Sequence, residues 1–390
     1  MKIGEYSDSF LPIIDGVGRV VKAYTETLAH RGHQVYAIAP MADMGFRGNL
    51  PYEIVDYSSM QMSKSMPWRI GLDSLDPHFA ARMRYIDLDI CHVHSPVFAG
   101  HIGLKYARQH NVPIVATLHS KYYDDILKVT KSHALARLGA NMVADFYQQC
   151  DEVWTVSEDS ARTLKSYGYK GDVIVMTNGT DKHVLHKECI EDLYSLYPIK
   201  KNVPILLFVG QINFKKGIDK VIECCALLKK DGVNFQLVLA GQGPDEQACR
   251  NLAEKVGISD RMVMTGHLSD IRYLDCLYYI STLFVFPSVY DSAPLVTREA
   301  CAMHTACLTV ENCGASEPFT DMYNGLVSKN TVEDIYKKIS DFLSMPADRR
   351  HEIAENGFNT VPIPWDGPIM DRVIERYQNL IDLYKFKNRN

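Results

Sequence analysis

Short apolar runs recur along this chain, each closed by a polar or glycine-bearing turn, and most are followed by apolar residues at helical spacing. In the first half the runs fall at residues 2–6, 34–39, 89–94, 113–120, 152–156 and 172–176. In the second they fall at 205–209, 235–240, 262–265, 282–287, 308–310 and 325–328. Helical patterns at 19–30, 99–109, 218–230 and 332–343 lie between them, and this strand-helix alternation is the signature of a parallel sheet. The alternation lapses over 182–203, where Pro198 and Lys200-Lys201-Asn202 suggest a linker, and restarts at Pro204. Two parallel-sheet α/β domains are therefore expected, at 1–190 and 191–368. A final helical pattern at 369–386 is long for a tail. Residues 41–85, rich in Met, Ser, Asp and Pro with little periodicity, predict loops and short helices. Residues 126–137 mix Lys128, Lys131, His133 and Arg137 with Ile126, Leu127, Val129 and Leu135, which predicts one weakly basic amphipathic helix.

Composition narrows the class of protein. A chain of 390 residues with 46% apolar and 23% charged positions can bury the core of two or three domains. A net charge of −5 and the lack of a dense Lys/Arg run argue against nucleic acid as a partner. The ten cysteines include no C-x-x-C pair, and Cys224 and Cys225 are adjacent, a poor basis for a disulfide framework or a zinc site. No apolar run reaches the length of a membrane span or signal core, and Met1 leads straight into an apparent strand. A cytoplasmic location is expected.

The chemistry concentrates at Phe286-Pro-Ser-Val-Tyr-Asp-Ser-Ala-Pro-Leu-Val-Thr-Arg-Glu-Ala-Cys-Ala-Met303. A strand here empties into a loop and then a helix, with Asp291 or Ser292 as the expected cap and Pro294 in the first turn. Such a helix start attracts anions. Eight residues at helical rise would set Asp291 and Glu299 up to about 12 Å apart, nearer the length of a nucleotide-sugar than the spacing of a glycoside-cleaving pair. A capped helix with Glu299 on a solvated face fits the same spacing.

This stretch resembles the acidic motif of family-four retaining glycosyltransferases, usually Glu, seven residues, Glu; here it is Asp291, seven residues, Glu299. Further motifs occur in the family's order: Gly16 and Gly18 after the first strand, Asp89-Ile-Cys-His92-Val-His94, Thr117-Leu-His119, Gly210-Gln211-Ile-Asn-Phe-Lys-Lys216-Gly217, and Gly241-Gln-Gly243. The resemblance covers nearly the whole chain. It implies a GT-B fold, with two Rossmann-like domains facing a cleft and the C-terminal helix crossing back to the first domain. It implies that Glu299 holds the donor's ribose, that Asp291 and the backbone around Ser292, Leu295 and Val296 face sugar and diphosphate, and that the segment at Leu268 reads the base. Lys216 would clamp the diphosphate, with Gln211 where the family has Arg, so one positive charge is missing. His119 would approach the transferred sugar, and Gly16 would face the acceptor and the donor phosphate. His119, Lys216 and Asp291 are thus the candidate catalytic residues.

Several residues carry a plainer reading. Gly16-x-Gly18 also fits a bare turn, His119 a satisfied loop histidine and Lys216 a solvated lysine. His92 and His94 share one face of a strand and suit a metal, although the family uses them for packing, and no metal site is assigned. The resemblance implies a metal-independent hexosyltransferase with no cofactor beyond its substrate, a nucleotide-sugar donor expected to be UDP-linked. The acceptor would be a lipid or a saccharide. His119-Ser-Lys-Tyr-Tyr-Asp-Asp125 is similar to the bacterial diacylglycerol glucosyltransferases, which points to peripheral membrane contact, while basic and acidic residues balance over 1–175. A soluble small-molecule acceptor, a sugar epimerase and a non-catalytic nucleotide-sugar-binding protein are the rival readings.

Overall fold

A computed structural model describes residues 1–12, 15–42, 49–63 and 66–387, without the side chains of 62–63 and 66–68. The chain divides into two compact units: Met1–Gly179 with Pro364–Asn390, and Thr180–Ile363. The polypeptide passes between them at Gly179/Thr180 and Ile363/Pro364, not within 182–203. That stretch instead contributes a helix, Glu188–Leu196, whose Cys189 and Leu193 enter the core of the second unit.

The strands of the first unit are β1 (Lys2–Tyr6), β2 (Gln34–Pro40), β3 (Glu53–Tyr57), β4 (Ser59–Ser63), β5 (Met66–Gly71), β6 (Ile90–Val93), β7 (Ile114–Leu118), β8 (Glu152–Thr155) and β9 (Ile174–Val175). Seven of them form one sheet in the order β3-β2-β1-β6-β7-β8-β9, every pair parallel. The order reverses direction at β1, and in open parallel sheets ligands bind beyond the carboxyl ends near such a switch. β4 and β5 pair antiparallel as a separate hairpin. Among the described residues of 41–85 the short helices are present, Asp73–Leu75 and Pro77–Tyr85, and the expectation of loops between them is corrected to three strands. These strands are short and partly exposed, so they lack the unbroken apolar runs that mark the buried ones.

The single amphipathic helix expected over 126–137 is two helices, Tyr122–Thr130 and His133–Tyr147. Lys131 takes a left-handed conformation (φ 54°) and Ser132 caps the second helix through the amide of Leu135. The first helix of the chain runs Gly16–His30, with Asp15 as its cap, accepting from Gly18 N at 2.7 Å. Gly16 is therefore the opening residue of a helix, earlier than the 19–30 pattern suggested.

The C-terminal helix, Met370–Lys387, packs on the first unit, as the fold implies. Tyr377 is fully buried and stacks on Trp154 with ring centroids 5.7 Å apart. Arg376 pairs with Glu152, Arg372 donates to Val175 O at 2.9 Å, and Tyr384 donates to Asp151 at 2.7 Å. Arg31 holds the helix entrance through Asp366 and Asp371.

In the second unit β10 (Ile205–Val209), β11 (Gln236–Ala240), β12 (Met262–Gly266), β13 (Leu283–Val285), β14 (Cys307–Val310) and β15 (Leu326–Ser328) form an all-parallel sheet, order β12-β11-β10-β13-β14-β15. β10 and β11 are buried at every position, as strands covered on both faces must be. The switch lies between β10 and β13. Each domain's core is its own.

Candidate active site

At the carboxyl end of β10 the chain turns through Gly210 and runs to Gly217, while β11 ends at Ala240 and turns through Gly241. The two loops interlock through Gly210 N to Ala240 O and Ile212 N to Gln242 O, both 3.0 Å, and Phe214 N to Asp245 at 2.8 Å. A Cβ on Gly241 would lie 1.9 Å from Gly210 O, and one on Gly243 would lie 2.2 Å from Ile212 O. Only glycine permits that approach, which explains the glycine pair in the sequence. Asn213 caps the short turn Phe214–Lys216 through Lys215 N.

This frame aims Lys216 at Asp291. Its Nζ donates to Oδ1 at 2.6 Å and Oδ2 at 2.8 Å, and Ser288 Oγ donates to Oδ2 at 2.5 Å. Both partners are about four-fifths buried, so the pair is far less screened than a surface ion pair. Asp291 is thereby corrected from helix cap to ion-pair partner. The helix Leu295–Ala302 starts after Pro294, and no side chain caps it. The helical-rise distance between the two acids does not apply, because 291–294 is not helical. The amides of the first turn, Leu295 and Val296 among them, remain a donor set at the positive end of the helix.

Glu299, on that helix, is 2% exposed and accepts from Tyr278 Oη at 3.1 Å, so the solvated-face reading fails. Its charge reaches His183, where burial opposes protonation but a 2.7 Å hydrogen bond to the buried Asp275 prevails and raises the pKa. Ser292 is buried, Leu268 and Val296 pack half-buried against the core, and Gln211 is exposed on its loop. The second unit thus gathers Lys216, Asp291 and the uncapped turn at the ends of β10 and β13, with Glu299 within that helix.

The first unit holds Gly16 at its helix start and His119 just past the end of β7. His119 is half-buried, and its Nε2 meets His94 Nδ1 at 3.0 Å. His94 Nε2 meets Glu5 at 2.7 Å. His92 Nε2 meets Thr117 Oγ1 at 2.7 Å and its Nδ1 meets Tyr377 Oη at 2.5 Å, while Tyr377 donates to Glu5 at 3.1 Å. Burial works against the Glu5 carboxylate, but the charge and hydrogen bond of His92 and the hydrogen bond of His94 hold its pKa at about 2. Burial and the charge of His92 push His94 down to about 4, and burial with both neighbouring histidines holds His119 well below its usual range.

Glu5, His92 and His94 also form the one group of three or more His, Cys, Asp or Glu among the described residues whose possible ligating atoms lie within 4.8 Å of one another. Those atoms are engaged by their neighbours, so a cation would have to displace formed hydrogen bonds. Sequence reasoning missed Glu5, Tyr377, Ser288 and the His183–Asp275 pair. Only Glu5 left a signal, as a carboxylate inside an apolar strand.

Two parallel-sheet units with glycine-laced loops at the strand ends, and an acid-bearing helix start beside a lysine, define the GT-B class, and known structures agree. A sucrose-phosphate synthase from Thermosynechococcus elongatus superimposes with a TM-score of 0.79 at 20% identity, covering 98% of this chain and 99% of that one. The Anabaena protein HepE, solved with UDP, gives 0.76 at 16%, covering 97% and 100%. Residues 14–184 match the family described as Glycosyltransferase Family 4, and residues 195–360 match Glycosyl transferases group 1. The chain belongs to these glycosyltransferases. An alpha-monoglucosyldiacylglycerol synthase of Acholeplasma laidlawii is 24% identical over 77% of this chain and 78% of its own length. A GDP-mannose-dependent alpha-mannosyltransferase of Corynebacterium glutamicum is 26% identical over 84% and 76%.

Proposed function

We propose that this glycosyltransferase moves a hexose from a UDP-linked donor to a hydroxyl of a lipid or saccharide, with retention of the anomeric configuration and without a metal. The observation that carries this reading is the placement of Lys216, Asp291, the uncapped turn at Leu295 and the buried Glu299 on neighbouring strand ends of one unit. In this reading the diphosphate lies on the amides of the uncapped turn and takes over Lys216, while Glu299 accepts from the ribose hydroxyls. The segment ending in Leu268 faces the base. Charge grows on the diphosphate as the sugar leaves, and the lysine and the helix dipole meet it there. The acceptor hydroxyl attacks the same face that the diphosphate leaves, its proton passing to a departing phosphate oxygen, so no side chain becomes a nucleophile. His119 contacts the transferred sugar.

Diacylglycerol is the acceptor favoured. Two relatives are named as glucosyldiacylglycerol synthases, and Val129, Leu135, Leu138 and Met142 are exposed on the helix pair 122–147 among Lys128, Lys131 and Arg137. Such a surface suits the interface of a bilayer, although no described helix is long and apolar enough to cross one. Incubation with UDP- and GDP-sugars, with diacylglycerol vesicles or soluble saccharides, tests the reading by mass and by the anomeric coupling of the product. An α-linked glucosyl lipid formed in chelator is the expected result. Sugar transfer with inversion, or strict dependence on a divalent ion, overturns the mechanism. Tight UDP binding without transfer or hydrolysis overturns the activity.

A further inference from the structure

The buried polar chain behind His119 does more than fill the core, because its hydrogen bonds have a direction. A carboxylate only accepts, so the contact of Glu5 with His94 Nε2 at 2.7 Å requires a proton on that nitrogen. The low pKa of Glu5 keeps it ionised, and the depressed pKa of His94 leaves its imidazole with that single proton near neutral pH. His94 Nδ1 is then a lone pair. The 3.0 Å contact with His119 Nε2 is a hydrogen bond only if His119 carries its proton on Nε2. His119 is neutral as well, so its Nδ1 is left as a lone pair. Among the described residues no protein group bonds Nδ1, and it is not sealed from solvent. His92 is a side branch: its Nδ1 faces Glu5 Oε2 at 3.3 Å and Tyr377 Oη, its Nε2 faces the Thr117 hydroxyl, and it makes no hydrogen bond with His94 or His119 that would set their tautomers.

We propose that Glu5 and His94 are positioning residues that fix the tautomer of His119, so that His119 Nδ1 is a committed acceptor for a hydroxyl of the transferred sugar. This rests on the reading that His119 contacts that sugar. The ring is also fixed in orientation, since it stacks on His94 at 26° with centroids 5.2 Å apart. A donor sugar lacking the hydroxyl at this point leaves Nδ1 without its hydrogen-bond partner, and a group committed to bonding a hydroxyl discriminates against the analogue that lacks it. Replacing Glu5 by Gln keeps the shape but removes the obligatory acceptor, since the amide can turn either its oxygen or its N–H to His94 Nε2. With the N–H turned that way protons shift along the chain: His94 carries its own on Nδ1, donates to His119 Nε2, and His119 Nδ1 becomes the N–H.

Two measurements separate the relay from the role of His119. Nitrogen-15 imidazole spectra of the wild-type protein, without donor, are expected to show Nε2–H tautomers alone for both His94 and His119, and Glu5→Gln is expected to bring in the Nδ1–H form of both. A wild-type His119 protonated on Nδ1 overturns the relay whatever the enzyme's substrate, and this arm needs no variant to fold. Steady-state kinetics with a series of deoxy donor sugars form the second arm. The wild type is expected to lose at least ten-fold in kcat/KM for the analogue lacking the hydroxyl that Nδ1 accepts. His119→Ala and Glu5→Gln should each flatten that preference, with UDP affinity unchanged. Nε2–H tautomers together with an unaltered preference in His119→Ala would place the failure in the reading of His119 as a sugar contact and overturn the discriminating role. Tyr377→Phe, which touches Glu5 but leaves the relay bonds in place, should retain both tautomers and the preference.

Discussion

At the scale of single residues, the Lys216–Asp291 pair carries the sharpest expectations. Lys216→Ala removes a charge that matters most as the diphosphate departs, so turnover should fall by about 2–4 kcal/mol of barrier, with a smaller change in the donor's KM. Glu299→Gln should do the reverse, raising the donor's KM and the dissociation constant of UDP more than it lowers kcat, because ribose contact is the same in ground and transition state. Unchanged UDP affinity by calorimetry would remove Glu299 from the nucleotide site. Asp291→Asn leaves the lysine charge uncompensated in the free protein but available to a phosphate. Its melting temperature without ligand should drop, and the upward shift on adding UDP should exceed that of the wild type. Equal shifts would mean that Asp291 and the diphosphate do not compete for Lys216. The sequence made these three residues conspicuous through their spacing. It could not show that Asp291 faces Lys216, since that needs the ends of β10 and β13 side by side.

At the scale of elements, the C-terminal helix is part of the first unit's core. Tyr377 stacks on Trp154 and bonds both Glu5 and His92, so Tyr377→Ala opens a cavity and leaves buried polar groups unpaired. A loss of about 3–5 kcal/mol is expected in the first unit, read as faster amide exchange in β1, β6 and β8. Exchange in β10 and β11 should stay as in the wild type. Equal acceleration in both would show one cooperative unit where the contacts show two. The strand Ile205–Val209 was legible to the residue because a buried parallel strand reads as an unbroken apolar run. The break at Lys131 was not. A lysine in left-handed conformation leaves no mark on the hydrophobic period, and the packing of two helices decides it.

For the whole molecule, pH should act on the two units with opposite sign. His94 has a folded pKa of about 4 against 6.5 for the free side chain, so below pH 6.5 the unfolded chain takes up the proton first. Its contribution is complete above pH 6.5 and is lost between 6.5 and 4, by up to about 3 kcal/mol. His119 acts in the same direction, and Glu5, held near 2, adds a loss between its ordinary 4.5 and 2. His183 has a raised pKa, so its pairing with Asp275 stabilises the second unit fully below pH 6.5 and is lost as pH rises through the folded value. Unit-resolved amide exchange across pH 5 to 8 should therefore show protection rising with pH in the first unit while His183 opposes that trend in the second. His183→Gln should abolish the opposing component, and an unaltered profile in that variant would reject the assignment.

Taken alone, the sequence determined the parallel α/β class, most of the strands in the two parallel sheets and the polar loops at the strand ends, because burial on both faces and local turn chemistry are written in consecutive residues. It also placed Lys216, Asp291, Glu299 and His119 in recognisable motifs. Tertiary structure decided what each of them touches. Glu5 and Tyr377, 372 residues apart, meet at one carboxylate, and Asp291 turns away from the helix beside it to a lysine 75 residues earlier. Hydrogen bonds of that span depend on which strands are neighbours and on which side chains the sheet removes from water. Neither is a property of any stretch of chain by itself.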